Sequence, residues 1–453
     1  MINYSMAYDI LGIPYGSNLD VIEKAFDKKV HLHMDDAFNV TEAYRYLATR
    51  SGIHILELYE QLDSNSRKLL KKALNQYNSH NYKAACTVIN KALSTETNKD
   101  YLLFAKAKVQ CEARHYKAAS TTLQELYQKY PENIFVLELI SLFGGKGISE
   151  NWIDSARRAF MEENSSFLLL TFFSNMHDEE GSMNEMIKLL EQSLTNKTYY
   201  IWHWLINLRL AQAYAEIKSK AKSQECINRA INYIDGLSFV EDYIVQSLVD
   251  FTVNFVLLFE PKQAYSLALF LEHLESSQEH TIETTFVFNF SFVTITSFLR
   301  TIKQIIGAMN DKKVNVSVLA FIIRQFIEKY DPDEEESPLD LEMSNFTSEY
   351  YFLLNSTTNI STLKYLKRNY PEIYDIKKGF FDSIIDANKR LKLKKEYDAK
   401  FTQYEDEILK YSYKKIENYN TSMHNSHDND NKKTEEKNKN KAEQSKIIPF
   451  RKK

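Results

Sequence analysis

Glycine and proline are scarce in this sequence. Its 453 residues include 10 Gly and 7 Pro, well below the average usage of roughly 7% and 5%. Tight turns and strand connections depend on these two residues, so a fold of many short strands would lack the turns that it needs. The scarcity therefore disfavours sandwiches, barrels and glycine-looped nucleotide-binding folds.

Cysteines are few, and no apolar run is long enough to cross a membrane. Cys86, Cys111 and Cys226 lie in helix-like segments without the close spacing of a zinc site, so we expect buried thiols in a reducing compartment. The longest uncharged stretch, Thr284 to Leu299, falls short of the roughly 18 to 20 apolar residues of a membrane helix. Met1 to Ile13 show no signal-peptide pattern. These features predict a cytoplasmic protein without a membrane span, and they leave export by a signal-independent route open.

The chain has no large excess of charge of either sign. It contains 57 basic and 61 acidic residues, for a formal net charge of -4. Such a balance does not draw a protein to nucleic acid or to an anionic membrane, so any contact of that kind would have to be local. A basic stripe from Lys389 to Lys395, on a predicted final helix from Lys377 to Lys415, is interpreted as a solvated face, with an acidic partner or RNA as the alternative.

Sequence motifs of catalytic sites are missing as well. Gly144-Gly-Lys-Gly147 lacks the G-x-x-x-x-G-K-[ST] spacing of a phosphate loop and is interpreted as a turn between helices. The sequence contains no His-Glu-x-x-His zinc pair, no G-x-S-x-G elbow and no kinase signature. We therefore predict a protein that is not an enzyme, with no catalytic residue, no metal site and no cofactor.

Three short amphipathic segments open the chain. The first, Tyr8 to Leu11, is expected to end at Gly12, and Ser17 or Asn18 is expected to cap the second. The second segment places apolar residues at helical spacing, and the third presents a matching apolar face, as in a helical hairpin. The apolar positions are Ile22, Ala25, Phe26 and Val30 in the second segment, and Val40, Ala43, Tyr44 and Leu47 in the third.

The order of these segments resembles the J-domain of the DnaJ co-chaperone family. That family's pattern runs Y-x-I-L-G-[VI], I-K-x-A-[YF], His-Pro-Asp and I-N-E-A-Y-x-x-L. Tyr8 to Ile13 match the first block, Ile22 to Phe26 largely match the second, and Val40 to Leu47 match the fourth closely. The resemblance covers Ser5 to Arg50 and implies a J-like fold. An ordinary helical hairpin that caps the following helices is the alternative.

The His-Pro-Asp tripeptide of that family is missing here. Met34, Asp35 and Asp36 stand in its place, or His33, Met34 and Asp35 if the alignment shifts by one residue. In that family the tripeptide and the basic face of the preceding helix trigger ATP hydrolysis by a DnaK-type chaperone. The resemblance therefore implies weak chaperone binding at most, without stimulation of the ATPase. The candidate contact residues are Lys24, Lys28, Lys29 and Asp36.

A second pattern repeats along the middle of the chain. Tyr82-Lys-Ala-Ala85 recurs as Tyr116-Lys-Ala-Ala119, a shift of 34 residues. This is the length of the tetratricopeptide repeat, and the stretch from Leu103 to Pro131 resembles that family, although Lys106 and Gln110 depart from its usual Leu and Tyr. Weaker and irregularly spaced copies follow, so five helix pairs are predicted. Their equivalent positions are Ala85, Ala119, Ala156, Met186 and Ser223.

Repeats of this kind stack into a solenoid whose concave surface binds a peptide or another protein. Four polar residues are candidates for such a surface, although packed or solvated positions are the commoner meaning of each. In the aromatic cluster from Tyr199 to Trp204, we expect the two tryptophans to pack in the core. The four candidates are Tyr127, Asn133, Tyr200 and Asn207.

Helical patterning continues beyond Asp242. Strict alternation of Phe286, Phe288, Phe290 and Phe292 by itself suggests a strand, but the flanking helical segments favour a buried helix. The further predicted segments are helices at Ile244 to Phe259, Gln263 to Leu274, Val316 to Tyr330 and Phe346 to Leu354, an acidic loop at Asp331 to Pro338, and disorder from Tyr419 onward.

The sequence therefore predicts an all-α chain in four parts. A degenerate J-like domain covers residues 1–60, and tetratricopeptide-like helical repeats cover 61–240. A further helical region at 241–418 extends or caps the solenoid, and a disordered tail occupies 419–453.

Two functional hypotheses follow from this organisation. The first is a non-catalytic protein-interaction scaffold, a co-chaperone-type adaptor that binds a client or a DnaK-type chaperone without stimulating its ATPase. The second is a bacterial effector or regulatory scaffold, in which the solenoid captures a partner protein and the J-like part is a structural cap. Both predict protein partners, and neither predicts nucleic acid as a partner.

Overall fold

The described part of the chain folds almost entirely into helices, so the prediction of an all-α fold is confirmed apart from one two-stranded sheet within those residues. It divides into two compact units, Met1–Phe286 with Thr294–Leu299, and Val287–Val293 with Arg300–Lys453. Within the described part of the chain, no helix is long and apolar enough to span a membrane. The computed structural model describes residues 4–32, 37–149, 151–237, 240–276, 285–288, 291–330 and 338–402.

Three helices form the N-terminal module. Helices α1 (Tyr4–Leu11), α2 (Leu19–Leu32) and α3 (Ala37–Ala48) carry the three predicted segments. Gly12 adopts a φ of +67°, the left-handed region that favours glycine, and so ends α1 as expected. Asn18, one of the two predicted caps, accepts a hydrogen bond of 3.1 Å from a backbone N–H in the first turn of α2.

The predicted apolar faces of α2 and α3 pack against each other. The rings of Phe26 and Tyr44 have centroids 4.5 Å apart. Ile22, Val30 and Val40 are each buried in the same core. This packing is the helical hairpin that the sequence pattern predicted, and Ala25, at the edge of the stripe, is half-buried.

Helix α4 (Arg50–Glu60) crosses α3 at close range. Thr49 caps it, because the Thr49 side chain accepts a hydrogen bond from the backbone N–H of Gly52. A Cβ atom on Gly52 would lie 2.4 Å from the carbonyl oxygen of Arg45 in α3. Only glycine permits this approach of the two backbones, so Gly52 sets the crossing of α3 and α4.

Between Ser64 and Ser276, the described residues form twelve α-helices that follow one another as six pairs. The five pairs predicted from the sequence are present, and a sixth follows them. A 3₁₀ helix, Lys197–Trp202, precedes the fifth pair. The pairs are α5 (Ser64–Asn78) with α6 (Tyr82–Leu93), α7 (Asp100–Glu112) with α8 (Tyr116–Lys129), α9 (Ile134–Ser141) with α10 (Trp152–Glu162), α11 (Phe167–Glu179) with α12 (Met183–Ser193), α13 (His203–Glu216) with α14 (Lys220–Asp235), and α15 (Asp242–Leu257) with α16 (Pro261–Ser276).

One turn geometry joins the two helices in five of these six pairs. A residue with φ between +55° and +69° lies two positions after the first helix, and the second helix begins two positions later. In the first pair, the N–H of His80 donates to the carbonyl of Tyr77 and the N–H of Asn81 donates to that of Gln76, the double bond of a Schellman turn. The same two hydrogen bonds recur in every copy. The left-handed residues are His80, Arg114, Gly181, Lys218 and Phe259.

The positions aligned from the sequence repeat occupy the same place in these pairs. Each lies near the start of the second helix of its pair. All five side chains are buried, with relative exposures of 7% or less. Small or slender residues are therefore used where paired helices approach closely. They are Ala85 in α6, Ala119 in α8, Ala156 in α10, Met186 in α12 and Ser223 in α14.

The pair α9 and α10 uses a different connection. Gly144, Gly145 and Gly147 all have positive φ, so the glycine run forms a turn between helices, as predicted. A Cβ atom on Gly145 would lie 2.0 Å from the indole nitrogen of Trp152. Glycine is thus required here both by the backbone conformation and by the neighbouring ring.

The buried-helix interpretation of the alternating phenylalanines is wrong. Thr285–Phe288 and Ser291–Thr294 form two paired strands, β1 and β2. Their residues are mostly β-branched or aromatic and alternate with a period of two, and this local preference prevails over the influence of the flanking helices. Asn289 and Phe290, which join the two strands, lie outside the described residues.

Helices resume after the sheet: the predicted helix Val316 to Tyr330 is confirmed, the predicted helix Phe346 to Leu354 forms the second half of a longer one, and α17, α20 and α21 were not predicted. The predicted acidic loop, Asp331 to Pro338, lies outside the described residues except for Pro338, which begins a helix, and the predicted tail, 419–453, lies outside them entirely. The helices are α17 (Ile295–Met309), α18 (Val316–Tyr330), α19 (Pro338–Leu354), α20 (Ser356–Asn369), α21 (Pro371–Asp375) and α22 (Lys378–Ile385), followed by α23 over residues 387–402.

The single long final helix predicted from Lys377 is also corrected, because Asp386 divides it. Asp386 is extended, with φ of -80° and ψ of 120°. Its side chain accepts hydrogen bonds from the backbone N–H groups of Asn388 and Lys389, at 2.9 and 3.0 Å. An aspartate in this geometry caps a new helix, so α22 ends and α23 begins here.

Candidate protein-binding surface

The lysines predicted for chaperone contact have different surroundings. Lys24 is exposed, and its Nζ lies 2.8 Å from Oδ2 of Asp20, one turn earlier in α2. Lys29 points back to the end of α1 and donates a hydrogen bond of 2.6 Å to the carbonyl oxygen of Ile10. Lys28 is exposed. Asp36, the fourth candidate, lies outside the described residues.

These positions do not give α2 a purely basic surface. Lys29 stabilises the C-terminal end of α1, where a cation is favourable, and is turned away from a partner. On another side of α2, Glu23 and Asp27 contact Lys197 of the 3₁₀ helix, with Nζ to carboxylate distances of 3.6 and 2.8 Å. Helix α2 is therefore held to the chain's own later residues by its acidic side chains.

Arg45 attaches α3 to α9 within the protein interior. It is 8% exposed, forms an ion pair with Glu138 of α9, and lies 2.6 Å from Oε1 of Glu42 in its own helix. Its guanidinium is 4.8 Å from the ring centroid of Phe135, a cation–π distance. The N-terminal module is thus an integral part of the helical core, and α9 completes it.

The two carboxylates around Arg45 respond to burial differently. Burial opposes the ionisation of Glu42, but the charges of Arg45 and Lys108 outweigh it and hold the pKa of Glu42 below its ordinary value. Burial dominates at Glu138 and raises the pKa of that carboxyl despite Arg45, with Glu42 adding a like charge. The pKa of Arg45 is raised, because its two carboxylate partners together outweigh its burial. The arrangement fixes the position of α3 and leaves no charge available to a ligand.

A groove of about 880 Å³ opens between α1, α4, α5 and α7. Its floor is apolar, with Leu62, Leu70 and Tyr101 between 2% and 5% exposed. Lys68 and Lys71, one turn apart on α5, are exposed at its rim. The remaining lining residues are Met6, Tyr59, Ser64, Arg67, Leu74 and Asn75.

Arg67 is part of the wall of this groove. Its guanidinium donates to the carbonyl oxygens of Leu62 and Glu60, and it lies 3.2 Å from the Glu60 carboxylate. It also covers the ring of Tyr59 at 5.3 Å from the centroid. Since its Nε and Nη2 groups are bound within the protein and its charge is paired with Glu60, the lysines are the unpaired cations at the groove.

Helices α5 and α6 carry charge of one sign, and two of their lysines, Lys68 and Lys71, lie at the rim of the groove. Residues 64–95, which form α5 and α6, contain six Lys and Arg and no Asp or Glu, in a chain whose net charge is -4. None of the five lysines has an ion-pair partner among the described residues. A count of charges in a window of this length would have revealed the patch, but the whole-chain balance concealed it. The lysines are Lys68, Lys71, Lys72, Lys83 and Lys91.

The polar residues considered from the sequence do not line this groove. Tyr127 is buried and shares a hydrogen bond of 2.9 Å with Ser155. Asn133 is buried and caps α9 through its side-chain oxygen. Asn207 is buried, and Tyr200 is half-buried. The packed interpretation of these residues is therefore confirmed for three of the four.

The aromatic cluster and the cysteines mostly meet their expectations. Trp204 is 1% exposed, so its place in the core is confirmed, whereas Trp202 is half-buried and stacks on Phe167 with ring centroids 4.3 Å apart. All three cysteines are free, and Cys111 and Cys226 are buried. Burial raises the pKa of the Cys226 thiol to about 11. Among the described residues, no group of three or more His, Cys, Asp or Glu side chains is placed to hold a metal ion.

Comparison with known proteins adds no family to this description. No protein-family model, no curated protein and no solved structure matches the chain. The likeness that does exist is internal: the five copies of one helix-pair turn and the five buried equivalent positions.

Proposed function

We propose that this chain is a non-catalytic protein-binding scaffold, a J-like and repeat-containing adaptor, whose groove takes an acidic segment of a partner protein. The observation that carries the proposal is the combination of an apolar floor with unpaired lysines on α5. Apolar side chains of a partner would bury against Leu70 and Tyr101, while its carboxylates would meet Lys68 and Lys71. Burial supplies affinity, and the charges supply orientation and selectivity.

The charges and the apolar floor favour an acidic protein segment over a small hydrated anion as the ligand of the groove. Lys68 and Lys71 at the rim, with three further unpaired lysines on α5 and α6, repel basic partners and attract acidic ones over about a Debye length, roughly 10 Å at 0.1 M salt. Apolar floor residues add nothing to binding of a fully hydrated anion, so the groove suits a segment that alternates acidic and apolar side chains. Binding should weaken with added salt.

A labelled peptide tests the groove directly. A short fluorescent peptide of Glu and Leu should bind the full chain, as measured by anisotropy, and a matched peptide of Lys and Leu should not. Replacing Lys68→Glu together with Lys71→Glu should weaken binding at least tenfold, about 1.4 kcal/mol. The control pair Lys117→Glu and Lys188→Glu changes the net charge equally at exposed positions on other helices. Equal affinity for all three proteins would refute the proposed groove.

In the adaptor, the J-like part is proposed to bind a DnaK-type chaperone weakly, without activating it. Lys29 donates to the carbonyl of Ile10, and Lys24 pairs with Asp20, which leaves Lys28 as the lysine of α2 without a hydrogen-bond or ion-pair partner among the described residues. A single-turnover ATPase assay with the full chain and a DnaK-type chaperone should show no acceleration. Several-fold acceleration that Asp36→Ala abolishes would make the protein an active co-chaperone.

A bacterial effector or regulatory scaffold is the second candidate. The contacts of Arg45 with Glu138 and of Asp27 with Lys197 favour it, because they tie the N-terminal module to later helices, as expected of a structural cap. The two candidates differ in whether the module contacts a chaperone. Binding of a purified DnaK-type chaperone that charge reversal at Lys28 weakens would support the adaptor, and the absence of any binding would support the effector.

A further inference from the structure

A small aromatic pocket lies apart from the groove. It has a volume of about 140 Å³ and is formed by the start of α3, the 3₁₀ helix, and the ends of α13, α14 and α15 that face them. Five of its lining side chains are aromatic and one is a carboxylate. We call it the aromatic cage, and it comprises Phe38, Trp202, Trp204, Tyr233, Glu241 and Tyr243.

The cage has a fixed floor and an accessible rim. Trp204 is 1% exposed, and its ring centroid lies 6.0 Å from that of Tyr243. Trp202 is held by its stack on Phe167, with an interplanar angle of 7°. Phe38 and Tyr243 are 58% and 52% exposed, so two aromatic rings border the opening. These two rings offer apolar contact area to a ligand at the mouth of the hollow.

Glu241 gives this pocket its charge. It precedes α15, is exposed, and has no ion-pair partner among the described residues. Its carboxylate is close enough to Tyr243 to add to the effect of burial in raising the pKa of that phenol. The faces of aromatic rings are also electron-rich, so the rings and the carboxylate attract the same kind of group.

The chemistry of the lining selects among cations. A primary ammonium carries three N–H donors that need acceptors, and it is strongly hydrated, so aromatic walls serve it poorly. A quaternary ammonium has no N–H to satisfy, and its methyl groups contact ring faces while the charge remains attractive to them. The volume of 140 Å³ is well below the roughly 300–1,000 Å³ of pockets for drug-sized ligands, so it suits a head group and not an extended molecule.

We propose that the aromatic cage is a binding site for a quaternary ammonium group, with Phe38, Trp202 and Tyr243 contacting its methyl groups and Glu241 balancing its charge. The group belongs either to a free small molecule such as choline or to a trimethylated lysine side chain. This site is independent of the basic groove, which selects the opposite charge.

Tryptophan fluorescence provides the measurement, because two of the three tryptophans of the chain lie in the cage. Titration of the full chain with choline chloride should give a saturable change, against sodium chloride at equal ionic strength. The neutral isostere 3,3-dimethylbutan-1-ol should bind at least tenfold more weakly. Equal binding of the isostere, or no saturable change with choline, would overturn the proposal.

Two variants locate the site. Glu241→Gln and Phe38→Ala should each weaken choline binding at least threefold, and both leave the fold intact because the replaced side chains are exposed. Glu185→Gln and Met161→Ala, at exposed positions on α12 and α10, should bind choline as the unaltered chain does. Unchanged binding by both cage variants would place the ligand elsewhere and refute the site.

A second titration distinguishes the two sources of the quaternary ammonium group, a free small molecule and a trimethylated lysine side chain. The Nα-acetyl amide of trimethyllysine is compared with choline and with the corresponding unmethylated lysine amide. Tighter binding of trimethyllysine identifies a modified protein as the ligand, and tighter binding of choline identifies a free small molecule. Binding of the unmethylated amide as tight as that of trimethyllysine would contradict a cage selective for quaternary ammonium.

Discussion

Arg45 in α3 and Glu138 in α9 form a buried ion pair across 93 residues of sequence. Both side chains are 10% exposed, and Glu42 shares the guanidinium with Glu138. Arg45 is the group on which the other two depend, because its loss would leave two buried carboxylates near each other without a counter-charge. This triad makes the position of the N-terminal module depend on the middle of the chain.

The first prediction concerns this triad. Arg45→Met should lower the free energy of unfolding by about 3–5 kcal/mol, because two buried carboxylates lose their counter-charge. Adding Glu138→Gln to that variant should recover part of the loss. Urea denaturation followed by circular dichroism measures both. A loss of less than about 1 kcal/mol in the single variant would mean that water already solvates the pair.

The second prediction compares two helical glycines. Gly52→Ala should destabilise the protein by about 2–3 kcal/mol, because the new methyl group meets the α3 backbone. Gly379→Ala in α22 should stabilise its unit by about 0.5–1 kcal/mol, because nothing lies within 4 Å of the added atom and alanine favours the helix. Thermal unfolding of the two variants, one for each compact unit, gives the comparison. Destabilisation by both would contradict the open surroundings of Gly379.

The third prediction concerns the repeated turn. Arg114 and Lys218 adopt φ values of 55° and 62°, which are strained for residues with a Cβ atom. Arg114→Gly and Lys218→Gly should each raise the stability by about 0.5 kcal/mol, the strain relieved less the entropy that glycine costs. Lys188→Gly, at an exposed position within α12, should instead lower it by about 1 kcal/mol. Denaturant midpoints that fall for all three variants would argue against left-handed strain at the turns.

The fourth prediction uses the pH dependence of a buried carboxylate. Glu96 is 4% exposed and accepts hydrogen bonds from the backbone N–H groups of Asp63, Thr97 and Asn98. Burial opposes its ionisation, but these donors prevail and lower the pKa of Glu96 to about 2. Because this value lies below the roughly 4.3 of an unfolded glutamate, the stabilisation is fully present above pH 4.3 and is lost as the pH falls toward 2.

Glu96→Gln should therefore be less stable than the unaltered chain by about 2 kcal/mol at pH 6, the worth of hydrogen bonds to a charged acceptor. The gap should narrow steadily between pH 4 and pH 2. Urea midpoints of both proteins across this range give the measurement, with Glu185→Gln as the exposed control. A gap of constant size from pH 6 to pH 2.5 would show that Glu96 is not held as a carboxylate.

Sequence periodicity predicted most helices because their apolar stripes are complete. Ile22, Phe26 and Val30 recur at helical spacing and are all buried in α2. The same reasoning failed from Thr285 to Thr294, where a period of two competed with helical neighbours and local strand preference won. Flanking helices are a weak predictor of a segment's secondary structure where the residues of that segment are β-branched and aromatic.

Sequence periodicity did not predict the basic groove or the aromatic cage. Each gathers side chains from helices distant in sequence, such as Met6 with Tyr101, or Phe38 with Tyr243. Periodicity describes one helix at a time and carries no information on which helices meet. The repeated turn was not predicted either, because only Gly181 among its five left-handed residues is a glycine.

The distance along the chain between Arg45 and Glu138 also orders the events of synthesis. A ribosome adds about 5–20 residues each second, so Glu138 emerges roughly 5 to 19 seconds after Arg45. During this interval the buried face of α3 has no α9 to cover it, and Arg45 has only Glu42 as a counter-charge. The N-terminal module is therefore synthesised first but completed only after α9 has been synthesised. Nascent chains that end before residue 138 should be good substrates for proteases.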